Sequence, residues 1–118
     1  MSAESRRAID TAAIENIGVF VSPISAWEIA TLVAKGKLRQ SLSAAEWWDA
    51  LVDLPGIRVA GMSPHVLIAS AGLPGAPPGD PADRIIAATA RGFGYVLTTR
   101  DRKLLAYARA GHLEALRC

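Results

Sequence analysis

Apolar positions along this chain fall into two alternating rhythms: long stretches carrying one apolar stripe, and short runs that are apolar throughout. The first rhythm is that of amphipathic helices; the second suits strands buried on both faces. Ser2 is placed to cap a first helix running to about Asn16, with Ala8, Ile9, Ala12, Ala13 and Ile17 on one stripe and Gly18 at its end. Val19-Phe20-Val21 is then a short buried strand.

Ser22-Pro23 opens a second helix, Ile24 to about Lys35, with proline at its first position and Gly36 beyond its end. A polar loop, Lys37 to Ser41, leads to Ser43-Ala44-Ala45-Glu46, a capping box. Its helix carries Trp47, Trp48, Leu51 and Val52 and stops before Pro55-Gly56. Ile57 to Ala60 reads as a strand, and Ser63-Pro64 opens a helix ending near Gly72. The stretch LPGAPPG excludes regular structure. Asp80-Pro81 starts a helix through Ile85, Ile86 and Ala90 to Gly92; Tyr95 to Thr98 is a third buried strand, Arg102 to Arg109 a last helix, and Leu113 to Leu116 an edge strand.

Strands alternating with helices predict an α/β fold, a short parallel sheet flanked by helices, as a single domain over residues 1–118. An amphipathic helix leading into a buried strand is the back half of a βαβ unit. Such a helix ordinarily follows a strand, and none precedes this one in the sequence.

Composition narrows the chemistry. With 51% hydrophobic and 20% charged residues, the chain is able to bury a core; with only 6% aromatic, Ala, Val, Leu and Ile must fill most of it. One cysteine, Cys118, rules out a disulfide framework or a cysteine metal site and suits a reducing cytosol. His65 and His112 lie too far apart for a local zinc motif and are expected as surface or capping residues. The polar start MSAESRRAID has no signal-peptide core, and no apolar run approaches the roughly 20 residues of a membrane span, so a soluble cytoplasmic protein is expected. The net charge of +2 is mild, but ten of the thirteen basic residues are arginine, which suits phosphate recognition.

In open parallel sheets ligands bind beyond the carboxyl ends of the strands. Glu28 follows the strand ending at Val21; Asp101 follows the strand ending at Thr98; Asp83 lies in the first turn of the DPAD helix, with Asp80 three residues before it. Carboxylates from separate segments suit magnesium or manganese, hard cations that take oxygen ligands and are able to activate water against a phosphodiester. Each acid also has a local reading. Asp80 is a good N-cap, Asp83 a favourable third helical residue, Asp101 an ordinary helix-start acid, and Glu28 the end of the box Ser25-Ala26-Trp27-Glu28. If Ser22 caps the helix, Glu28 is too deep for that last role.

Two segments bear a resemblance. VSPISAWEIATLVAKGKL resembles the second strand and helix of PIN-domain ribonucleases, especially VapC-type toxins of toxin–antitoxin modules, and DPADRIIAATARGFGYVLTTRDRKLLAY resembles their third-acid helix and fourth-acid turn. The resemblance implies a three-layer PIN-like fold and a metal-dependent endoribonuclease using Mg²⁺ or Mn²⁺. It implies Glu28, Asp83 and Asp101 as catalytic metal-site acids, Asp80 as a lesser one, and Thr99 as a supporting hydroxyl. RNA, a cognate antitoxin and a second copy in a homodimer are the implied partners. Arg84, Arg100, Arg102 and Lys103 flank the acids and are candidates for holding RNA phosphates, beside the plainer reading as solvated charges.

The departure is at the front. PIN domains begin with a mid-sheet strand ending in aspartate, and this sequence begins at the helix after it. Either Met1 lies within a longer reading frame or the chain is a shortened relative. The gap is expected to be closed by direct pairing of the flanking strands, by exchange between subunits, or by a partner chain. The alternative function is a catalytically impaired remnant that binds an antitoxin or dimerises. A receiver-type phosphate-transfer domain would need a phosphoacceptor aspartate and a later lysine at strand ends, and no such pair is found. Trp27 is expected in the core; Trp47 and Trp48 are expected to divide between core packing and a partner contact.

Overall fold

The computed structural model describes residues 2–14, 18–38 and 41–118. Helix α1 (Ala3–Ile14) starts as expected: the Ser2 hydroxyl accepts the Ser5 N–H at 3.1 Å. The end of that helix near Asn16 and part of the Lys37–Ser41 loop lie outside the described residues. Strand β1 (Val19–Val21) leads into α2 (Ile24–Ala34), where the Ser22 hydroxyl accepts the Ile24 N–H. Helix α3 (Ala44–Val52) has the predicted capping box with both bonds formed, Glu46 N to Ser43 Oγ at 3.2 Å and Ser43 N to Glu46 Oε1 at 3.0 Å.

Strand β2 (Ile57–Val59), α4 (Pro64–Ala71) and α5 (Pro81–Phe93) follow, then β3 (Leu97–Thr99), α6 (Arg102–Arg109) and β4 (Ala115–Arg117). β3 begins two residues later than predicted, because α5 runs on to Phe93 and closes through Gly94 in the left-handed conformation, φ 69°.

All strand pairing is parallel, as the βαβ rhythm predicted, but it forms two sheets. β1 pairs with β2, Val19 opposite Ile57, and β3 pairs with β4, Leu97 opposite Ala115. Gly18 has φ 87° where it enters β1, and a Cβ there would stand 3.2 Å from the Gly56 carbonyl and 2.9 Å from Arg58 Nε, so the turn requires glycine. The strands at 19–21 and 95–98 were expected to be buried on both faces; β1 and β3 are only half-buried along their lengths. Their facing edges are not joined to each other among the described residues, and a cavity separates them. Direct pairing of β1 with β3, one of the expected arrangements, is not seen among the described residues.

The core sits under β3. Ala87, Leu104 and Tyr107 are almost wholly buried, with Leu73, Leu97 and Leu113 packed against them. Burying one such leucine contributes about 1.5–3 kcal/mol. Alanine fills much of the remaining interior (Ala60, Ala82, Ala88, Ala90), in keeping with the low aromatic content. α1 is fastened to the far end of the chain: the Ser2 and Ser5 hydroxyls both donate to the Arg117 carbonyl, at 2.7 and 2.8 Å. No helix among the described residues is long and apolar enough to cross a membrane.

Candidate functional site

The gap between β1 and β3 is a cavity of about 830 Å³. Along its length it is apolar, with α1 contributing Ala8, Ile9 and Ala12. Glu28, Asp83, Asp101 and Thr99 all line it. Glu28 comes from the second turn of α2, Asp83 from the first turn of α5, and Thr99 and Asp101 from the end of β3 and the turn into α6. Three acids from three elements thus meet where parallel strands present their carboxyl ends, the place such folds use for ligands.

Local bonds explain how each is held. The Asp80 carboxylate accepts the Asp83 N–H at 3.1 Å as the N-cap of α5. Asp101 caps α6 in the same way: its Oδ1 accepts from Lys103 N at 2.9 Å and Leu104 N at 3.0 Å. Thr99 Oγ1 accepts the Asp101 N–H at 3.1 Å, fixing the turn that presents Asp101. Capping and a place in the cavity are compatible for Asp101, since its cap bonds use only one of its carboxylate oxygens. Glu28 is no cap at all; it lies too deep in α2.

The acids also sense one another. Partial burial, then the charges of Asp83 and Asp80, raise the Glu28 carboxyl above its ordinary range. Partial burial, then Asp101 and Asp80, raise Asp83, against which Lys103 pulls down. Asp80 does not line the cavity but adds to its negative field. Negative charge accumulated in this way favours a cation.

The basic neighbours are arranged unequally. Arg84 is half-buried and bonded to backbone, its Nε donating to the Pro78 carbonyl at 2.8 Å and a terminal nitrogen to the Ser70 carbonyl at 3.4 Å. Arg100, Arg102 and Lys103 are exposed. Trp27 is a correction: expected in the core, it is 59% exposed. It sits on another face of α2 from Ser22, Ser25 and Glu28, which follow one another at helical spacing into the cavity. Ser22 and Ser25 were not singled out as cavity residues, although the three-residue spacing SPISAWE carries that signal. Trp47 and Trp48 are both half-buried, and the Trp47 indole N–H is buried without a partner among the described residues. His112 is another departure from the expected surface role: half-buried, it stacks on Tyr107 at 4.7 Å.

Oxygen-only donors and mutual repulsion fit a hard divalent cation. Their number does not close a cage: among the described residues no three acidic, imidazole or thiol groups stand close enough to hold an ion by themselves.

Fold and site together define a class. The family profile of the PIN domain matches residues 2–110, and the chain belongs to that family. Over 84 residues it is 37% identical to Ribonuclease VapC22 of Mycobacterium tuberculosis (strain ATCC 25618 / H37Rv), a match covering 71% of this chain. The matched part spans 63% of that relative's length.

Proposed function

We propose that this chain is a VapC-type endoribonuclease domain, the toxin of a toxin–antitoxin pair, which hydrolyses RNA phosphodiesters with Mg²⁺ or Mn²⁺. The observation carrying the reading is that Glu28, Asp83 and Asp101 face one cavity at the carboxyl ends of β1 and β3. These three residues would contribute donors to the cation alongside at least one further group, with Asp80 adding charge from behind and Thr99 keeping the Asp101 turn in place. The bound ion would supply an activated water and charge neutralisation at the phosphate. No side chain is assigned as a nucleophile. Exposed Arg100, Arg102 and Lys103 would meet the RNA backbone; a small antitoxin protein and a second copy of the chain are the expected protein partners, in the cytoplasm.

The apolar slot between two parallel half-sheets suits one more extended segment, ending in an aspartate near Glu28 and Asp83. That segment would join β1 to β3 and provide the donor that the acids lack. A second reading, an impaired remnant that binds its partner without cutting, is favoured by the incomplete cation site among the described residues.

Metal-dependent cleavage of single-stranded RNA tests the proposal, with and without an added apolar peptide of about five residues, a common strand length, ending in Asp. Cleavage that needs Mg²⁺ or Mn²⁺ and is lost in Asp83→Asn with Asp101→Asn supports the nuclease. Wild-type cleavage by the double variant rules it out. Binding of an antitoxin without cleavage under any condition supports the remnant.

A further inference from the structure

Ser5, in the first turn of α1, has 0% of its surface exposed, so its hydroxyl must find a partner inside the protein. It donates to the Arg117 carbonyl of β4 at 2.8 Å, 112 positions away in sequence. The Ser2 hydroxyl donates to the same oxygen at 2.7 Å, but through an exposed bond that water is able to replace. A carbonyl and the N–H that follows it share one rigid plane. Fixing the Arg117 oxygen therefore aims the Cys118 N–H, which donates to the Thr99 carbonyl at 2.9 Å. Thr99 ends β3, and its own Oγ1 accepts the Asp101 N–H at 3.1 Å. One path of hydrogen bonds thus runs from a buried hydroxyl on α1 to the turn that presents Asp101 to the cavity.

We infer that Ser5 is a positioning residue for the Thr99–Asp101 turn. Ser5 does not line the cavity; it acts on the turn through the peptide between Arg117 and Cys118. That peptide needs a tie, because β4 is a three-residue strand paired with β3 alone among the described residues, and short outer strands fray. Without the Ser5 hydroxyl, the Arg117 carbonyl loses its inner donor, the peptide is free to tilt, and the Cys118 N–H swings off Thr99. The consequence for RNA cleavage rests on the ribonuclease reading above; the consequence for the turn does not.

The test compares the intact chain with its Ser5→Ala and Ser5→Cys variants by amide hydrogen exchange, read residue by residue by NMR. Ser5→Ala is expected to speed exchange at Cys118 and Asp101 about two- to ten-fold, the factor that one hydrogen bond contributes. The Ala60 and Tyr95 amides, bonded elsewhere to Val21 and Ala90, should be unchanged. Ser5→Cys, with a thiol that donates weakly, should show the same selective gain at a smaller factor, and it carries the test if Ser5→Ala does not fold. Equal acceleration at all four amides, or failure of both variants to fold, means that Ser5 only supports the fold and overturns the inference. Unchanged exchange at Cys118 and Asp101 overturns it too. In cleavage of single-stranded RNA with Mn²⁺, Ser5→Ala is expected to lower kcat by a similar factor at unchanged KM, and an unchanged kcat also counts against the role. A wild-type chain that cleaves no RNA ends the ribonuclease reading and leaves the exchange rates to decide this one.

Discussion

Phe20 of β1 and Tyr95, just before β3, stack with ring centroids 4.7 Å apart and planes 15° from parallel, so a side-chain contact spans two half-sheets that share no backbone pairing among the described residues. Phe93 also stacks on Tyr95, at 5.3 Å. Stacked pairs of this kind are worth about 0.5–1.5 kcal/mol beyond the area they bury. Tyr95→Ala is expected to lower unfolding free energy by about 1–3 kcal/mol, within the range of truncations at packed sites. Urea denaturation measures it, and a loss no larger than a surface substitution gives would mean the stack does not hold the halves together.

The raised carboxyls predict an inverted acid response. Glu28 and Asp83 both favour their neutral forms in the fold, through partial burial first and neighbouring acids second. The stability linked to them is full below the ordinary carboxylate range and falls as pH rises through their raised values. In a chelator, Glu28→Gln is therefore expected to melt higher than wild type at neutral pH, with the advantage shrinking as the solution is acidified. Thermal melting across a pH series checks it; an equal effect at every pH would show that charge is not the cause.

Gly75 and His112 are in a tight approach. Gly75 has φ 69°, and a Cβ there would collide with His112 Nε2. The His112 ring is itself stacked on Tyr107, whose hydroxyl donates to the Pro74 carbonyl. Gly75→Ala is expected to cost at least about 1 kcal/mol from the backbone alone, plus the collision. In a His112→Ala background the collision is gone and only the backbone part should remain. Equal costs in the two backgrounds would show that the ring yields freely.

Arg84 separates stability from RNA contact. With its guanidinium bonded to the Pro78 and Ser70 carbonyls, Arg84→Met is expected to reduce stability by about 1.5–3 kcal/mol, the scale for hydrogen bonds to a charged group. Arg102→Met, at an exposed position, should leave stability nearly unchanged and weaken RNA binding. Calorimetric melting and a filter-binding assay decide between them. The reverse pattern would move the phosphate contact to Arg84.

How much was readable in the residues follows from the range of the forces involved. The order of helices and strands, the Ser43–Glu46 box, and the caps at Asp80 and Asp101 depend on neighbours within a turn, so they were legible in the residues alone. The acids were identifiable as candidates by their places after strands and at helix starts. That Glu28 and Asp83 share a field, that Arg84 turns to the backbone and Trp27 to solvent, and that β1 and β3 face a cavity were decided only by the tertiary structure. A strand's apolar run states what it is able to bury, but not which edge finds a partner, because pairing depends on segments remote in sequence.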